Sequence, residues 1–157
     1  MTAVEHIRLL LKNPIFLSTV FSLCTAQVLK LVFYLLTNKD RKKLDAVETV
    51  IWRTGGMPSS HSAIVCALVT SAGIYEGIES NFFVLCLVFA MVVLRDSLGI
   101  RRTAGLQAKA LNNLGKQVAK FTGTEFRSIK EIHGHTPLEV LVGSCLGIVI
   151  TFIFCLI

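Results

Sequence analysis

A chain of 157 residues that is 53% hydrophobic and only 17% charged is too apolar for an ordinary soluble domain, and its length fits a single domain, 1–157. The apolar residues come in long blocks, which predicts an all-α, polytopic membrane helical bundle. The net charge of +6 is then no nucleic-acid signal, because basic residues flank membrane segments by the positive-inside rule.

Residues 4–11 are short and amphipathic and read as an interfacial helix. Arg8 and Lys12 precede the first apolar run, but no small-residue cleavage site marks a signal peptide. Pro14 opens the first spanning helix, 14–37, long enough for a hydrocarbon core of about 30 Å. It carries Gln27 and Lys30, three apart and so on one face, with Tyr34 a turn further on. A lysine there either snorkels to the nearby end or points its ammonium into a polar interior.

Residues 38–53 are polar and basic, with Lys39, Arg41, Lys42, Lys43 and Arg53. Leu44, Val47, Val50 and Ile51 recur at helical spacing, and Trp52 suits an interface. This predicts a short helix lying on the membrane. Thr54-Gly55-Gly56-Met57-Pro58-Ser59-Ser60-His61 follows. The glycines give backbone freedom, Pro58 presets a helix start, and Ser59 and Ser60 can cap it. The free N–H groups of a first helical turn attract an anion, and His61 sets a titratable ring beside them. A phosphate cradle with an acid–base group and an ordinary capped turn both fit this stretch alone.

The second span is expected over 62–78, short and rich in small residues, and so closely packed. The third is expected over 82–98, with Arg95 and Asp96 in its last turn, where charges pair, bind something, or both. Residues 101–121 read as an amphipathic helix, with Ala104, Leu111, Val118 and Phe121 on one stripe and Leu114 beside it. Arg102, Lys109 and Lys116 recur every seven residues on the other side, the pattern of a basic helix on an anionic lipid surface. Residues 122–131 are a polar linker.

His133-Gly134-His135-Thr136-Pro137-Leu138-Glu139 then enters the fourth span, 138–157. His135 and Glu139 are four apart and share a helix face, so the carboxylate can hold the imidazole in one tautomer. The pair reads equally as a structural cap. Gly143 and Gly147 have the spacing of a close helix contact and suggest a homodimer. Cys24, Cys66, Cys86, Cys145 and Cys155 lie in apolar stretches without a Cys-x-x-Cys, and read as small buried hydrophobes. No residue cluster has metal spacing, so neither metal nor cofactor is expected.

Alternating spans put Lys30, Tyr34, His61, Arg95, Asp96, His135 and Glu139 at one membrane face. Two histidines, cations and a helix N-terminus suit the charge of a phosphoryl group in transfer. The Lys and Arg residues also concentrate in the loops of that face, which predicts that it is cytoplasmic.

These motifs resemble the divergent branch of the type 2 phosphatidic acid phosphatase family, related to acid phosphatases and vanadium-dependent haloperoxidases. Pro58-Ser59-Ser60-His61 is similar to that family's Pro-Ser-Gly-His, with Ser60 in place of Gly. His135 to Glu139 resembles its His-x-x-x-Asp segment, with Glu139 in place of Asp. Gly-Gly-Met-Pro-Ser-Ser-His-Ser-Ala and Arg-Asp-Ser-Leu-Gly-Ile-Arg-Arg-Thr-Ala-Gly look like the divergent branch in particular.

The resemblance implies a membrane hydrolase of a lipid phosphate or pyrophosphate, without a metal. His135 would be the nucleophile, Glu139 its orienter and His61 the proton donor, while Ser59 and Ser60 would bind phosphate. The family's Lys-x6-Arg-Pro motif is absent as such, with Lys30 and Arg53 as substitutes in kind. Ile129 stands where the third motif has Arg, leaving Arg95, Arg101 and Arg102 as candidates. The usual member has six spans where this chain reads as four. Gln27, Gly56 and Asp96 complete the candidate site. The alternatives are a non-catalytic lipid-phosphate binder of the same fold and a small structural or transport-like membrane protein.

Overall fold

The structure, a computed structural model, describes residues 2–37, 56–129, 131 and 134–156. Those residues form helices and no strand: α1 Ala3–Leu10, α2 Pro14–Thr37, α3 Ser60–Tyr75, α4 Asn81–Leu98, α5 Ile100–Thr122 and α6 Pro137–Leu156. The helix expected over 38–53 lies outside the described residues.

Local chemistry sets the helix starts. Thr2 and Glu5 form a capping box on α1. The Asn13 side-chain carbonyl accepts from the N–H groups of Ile15 and Phe16 at 2.9 and 3.1 Å, with Pro14 at the first position of α2. Ser80 caps α4 by accepting from Phe83 N–H at 3.1 Å. Gly123 ends α5 in the left-handed conformation, φ 69°.

α3 lies at the centre and packs against α2, α4 and α6. Small side chains permit this. α2 buries Ser18, Ser22, Ala26 and Lys30, a stripe at every fourth residue. The Ser22 hydroxyl donates to the Ala63 carbonyl at 3.2 Å, and Thr151 of α6 donates to the Ala67 carbonyl at 3.4 Å. Gly143 and Gly147, read from the sequence as a close helix contact, face α3 of their own chain. A Cβ at Gly143 would collide with the Ser59 carbonyl oxygen, and one at Gly147 with that of Ala63.

Large apolar side chains point outwards instead. Phe21, Val28, Leu85, Val92, Leu141 and Phe152 are exposed, while Ala and Ser dominate the interior. Close packing of small residues, with bulk facing the solvent, is what a hydrocarbon solvent selects. Three helices are long and apolar enough to cross a membrane: α2, the run of α4 into α5, and α6. α3 has 16 residues, a rise of about 24 Å, short of the ~30 Å core. It begins two residues before the expected 62 and takes Ser60 and His61 into its first turn. The same outward orientation corrects the reading of the cysteines. Cys86 is buried, but Cys66 and Cys155 are half-buried, and Cys24 and Cys145 are exposed.

Candidate functional site

The residues from His135 onward build a helix start with a second use. Thr136 Oγ1 accepts from Glu139 N–H at 3.3 Å, and Glu139 Oε2 accepts from Thr136 N–H at 3.1 Å, a reciprocal capping box with Pro137 as the first helical residue. The same Oε2 lies 3.0 Å from His135 Nδ1. An ionised carboxylate only accepts, so Nδ1 carries the proton and the neutral ring keeps its lone pair on Nε2. The capping and orienting readings of Glu139 therefore hold together. His135 is 2% exposed. Its Nε2 is buried and has no hydrogen-bond partner among the described residues. Leaving such an atom unmet costs about 1–3 kcal/mol, which is tolerated where a ligand will meet it.

The start of α3 is joined to this helix. Ser59 N–H donates to the Glu139 carbonyl at 3.1 Å. Ser59 is the N-cap, and its hydroxyl accepts from Ser62 N–H at 3.4 Å and lies 3.0 Å from Ser62 Oγ. Of the two serines that can cap this start, Ser59 does so, and Ser60 is the first helical residue. Next in the turn is His61, whose ring centroid is 5.9 Å from that of His135, in an edge-on arrangement at 60°.

α2 supplies the cation. Lys30 is 8% exposed, so its side chain lies in the interior of the bundle rather than snorkelling to the helix end. Gly56, at φ 97°, passes directly over it, and a Cβ there would sit 3.1 Å from Lys30 Cε. Glycine serves both the backbone conformation and the close approach. Gln27, one turn earlier on α2, has its Oε1 buried with no hydrogen-bond partner among the described residues.

The structure thus joins Lys30, Gly56, Ser59, Ser60, His61, His135 and Glu139 around the facing ends of α3 and α6. Arg95 is exposed and Asp96 half-buried in the last turn of α4. Arg101 and Arg102 lie in the first turn of α5, but their side chains are outside what is described, as is Arg53 altogether. Among the described residues no three His, Cys, Asp or Glu side chains could hold a metal ion together. A cavity of about 530 Å³ lies at the opposite end of the bundle, between the start of α2 and the end of α3. Of its polar residues Asn13, Thr19 and Glu76, the first two are engaged in helix hydrogen bonds.

A supporting element lies on α5, and its partners were not read from the sequence. Asn112 is 3% exposed on α5. Its side chain donates to the Ile129 carbonyl at 2.8 Å and to Glu131 Oε1 at 2.9 Å, and accepts from Ile129 N–H at 2.8 Å. Phe126 lies on Gly115 so closely that no Cβ would fit there. The segment after Gly123 therefore runs back along α5 before reaching His135. The signal was present as small residues at Gly105, Ala108, Gly115 and Ala119, in heptad register with Asn112.

A family described as "Divergent PAP2 family" matches residues 11–150. The chain is similar to a Bacillus subtilis (strain 168) protein named "Uncharacterized membrane protein YuiD", 34% identical over 155 residues, covering 92% of this chain and 95% of that protein. No solved structure matches the chain.

Proposed function

The chain belongs to the divergent PAP2 family, and on that premise we propose that it is an integral membrane phosphatase acting on a lipid phosphate or pyrophosphate through a phosphohistidine. The observation that carries this reading is His135. Its Nδ1 is held by Glu139, its Nε2 is buried and unmet among the described residues, and His61 stands beside it. That is the geometry of an oriented nucleophile with an acid–base partner.

In the first step His135 Nε2 bonds to phosphorus and the bond from phosphorus to the leaving oxygen breaks. His61 gives that oxygen a proton. In the second step water attacks phosphorus, its proton passes to His61, and the P–N bond breaks to release inorganic phosphate. Lys30 and the first-turn amides of α3 stabilise the charge gathered on the phosphoryl oxygens. α3, with 16 residues, is shorter than a hydrocarbon core, which supports a site within reach of a phosphate that stays attached to a lipid.

The test is phosphate release from a panel of phosphatidic acids, prenyl phosphates and prenyl pyrophosphates by purified protein in detergent or nanodiscs. Release from at least one class, with acid-labile ³²P retained on the wild type and absent from His135→Ala, is the expected result. Saturable binding of the panel without release by the wild type would overturn catalysis and favour a lipid-phosphate binder.

A further inference from the structure

α5 has three faces. Gly105, Ala108, Asn112, Gly115 and Ala119 form the small-residue face that carries Phe126 and the Asn112 hydrogen bonds. Leu111, Leu114, Val118 and Phe121 form a second stripe and are all exposed, Phe121 by 92%. The third face carries Lys109, Lys116 and Lys120, also exposed. The helix bears five basic residues, Arg101, Arg102, Lys109, Lys116 and Lys120, and no acidic one. Only Gly99 separates it from α4, so it starts at the membrane boundary.

An exposed apolar stripe on an all-cationic helix beginning at that boundary is complementary to one surface in particular: a leaflet rich in anionic lipid. Residues 124–129 and Glu131, held along the small face through Phe126 and Asn112, precede His135 in the chain. A helix that reads the lipid surface is therefore hydrogen-bonded to the approach of the nucleophile. We propose that α5 is seated in the plane of an anionic leaflet, with its apolar stripe in the headgroup–acyl boundary, and that Asn112 is a positioning residue carrying that seating to the His135 segment. The dependence of turnover on this seating rests on the phosphatase reading above, whereas the seating itself does not.

The experiment uses full-length protein with its native cysteines replaced, in phosphatidylcholine vesicles with or without phosphatidylglycerol. A fluorophore on Leu114→Cys should be quenched by shallow spin-labelled lipid, and more strongly in anionic vesicles. The same fluorophore on Lys116→Cys should be quenched by aqueous iodide. Triple substitution of Lys109, Lys116 and Lys120 by Gln should remove the dependence on anionic lipid. Equal iodide quenching at Leu114 and Lys116 would overturn the seating. So would protection of Leu114 only at high protein-to-lipid ratio, which would mark a contact between copies.

Hydrogen exchange reads the coupling without any activity. Ile129 N–H and its neighbours up to His135 should exchange more slowly in anionic vesicles. Asn112→Ala should exchange at least 10-fold faster there and lose the lipid dependence, while α2, α3 and α6 keep their protection. Asn112→Gln should restore part of it. Unchanged exchange at Ile129 in Asn112→Ala would overturn the coupling. If turnover is found, Asn112→Ala should lower kcat in anionic vesicles with little change in KM. If the quenching and exchange results hold but no lipid phosphate is turned over, the phosphatase reading fails and the seating stands.

Discussion

At the scale of single residues, the site is decided by one carboxylate oxygen. Glu139 Oε2 meets both Thr136 N–H and His135 Nδ1, so its substitutions separate two roles. His135→Ala removes the proposed nucleophile and should lower phosphate release by about 10³-fold or more, with the helical content unchanged. Glu139→Gln keeps a polar group of the same size but loses the charge, and should cost less than loss of the nucleophile. Glu139→Ala also loses the capping box and should give up a further ~1 kcal/mol of stability, read as a lower Tm. His61→Ala should be rescued in part by aryl phosphates, whose leaving groups need no proton. Equal losses on good and poor leaving groups would remove His61 from the acid role. The donors gathered here are a cation, amides and imidazoles, which predicts turnover unchanged in excess chelator. Complete loss restored by Mg²⁺ would transfer the chemistry to a metal and make Asp96 and Glu139 its candidate ligands.

At the scale of the elements, the decisive contact is that of α6 on α3. Gly143 faces the backbone at Ser59, the residue whose N–H binds the Glu139 carbonyl. Gly143→Ala must push the two helices apart at the site itself. It should cost about 1–3 kcal/mol, visible as a lower Tm in detergent, and should lower turnover as well. Leu141→Ala, on the exposed side of the same helix, should leave Tm nearly unchanged in the same assay. Much of this level was legible in the sequence, because helix starts are local. Pro14 was read as a helix start, while Ser80, Thr136 and Gly123, which also act within a turn of themselves, were not singled out. The pairing of His135 with Glu139 was legible for the same reason, being four residues apart on one helix. What joins distant stretches was not. Nothing local says that Ser59 reaches Glu139, or that Asn112 holds Ile129 and Glu131. The small residues of α6 announced a close contact without naming its partner, which is α3 of the same chain. The cysteines were misread because apolar neighbours imply burial only where the solvent is water.

At the scale of the whole molecule, the question is which side of the membrane the histidines face. They lie at the ends of α3 and α6 that adjoin residues 38–57 and 95–137. These two segments hold 13 of the 16 Lys and Arg residues, with two more before Pro14 and Lys30 within α2. The turn between α3 and α4 carries Glu76 and Glu79 and no basic residue. A bias this large sets orientation by retaining cationic loops in the cytoplasm. A phosphate site is itself basic, but that accounts only for cations close to the histidines. Lys109, Lys116 and Lys120 are spread along the exposed side of α5, so a phosphate site does not account for them, and both the orientation rule and the proposed lipid seating favour the cytoplasmic side. The histidine face is therefore proposed to be cytoplasmic, where a phosphorylated lipid head group would be met from within the cell. In intact cells, with the native cysteines replaced, Glu79→Cys should react with an impermeant maleimide and Lys116→Cys should react only after permeabilisation. Labelling of Lys116→Cys from outside would reverse the orientation, place the chemistry on the outer surface, and require the basic loops to be explained by the substrate alone.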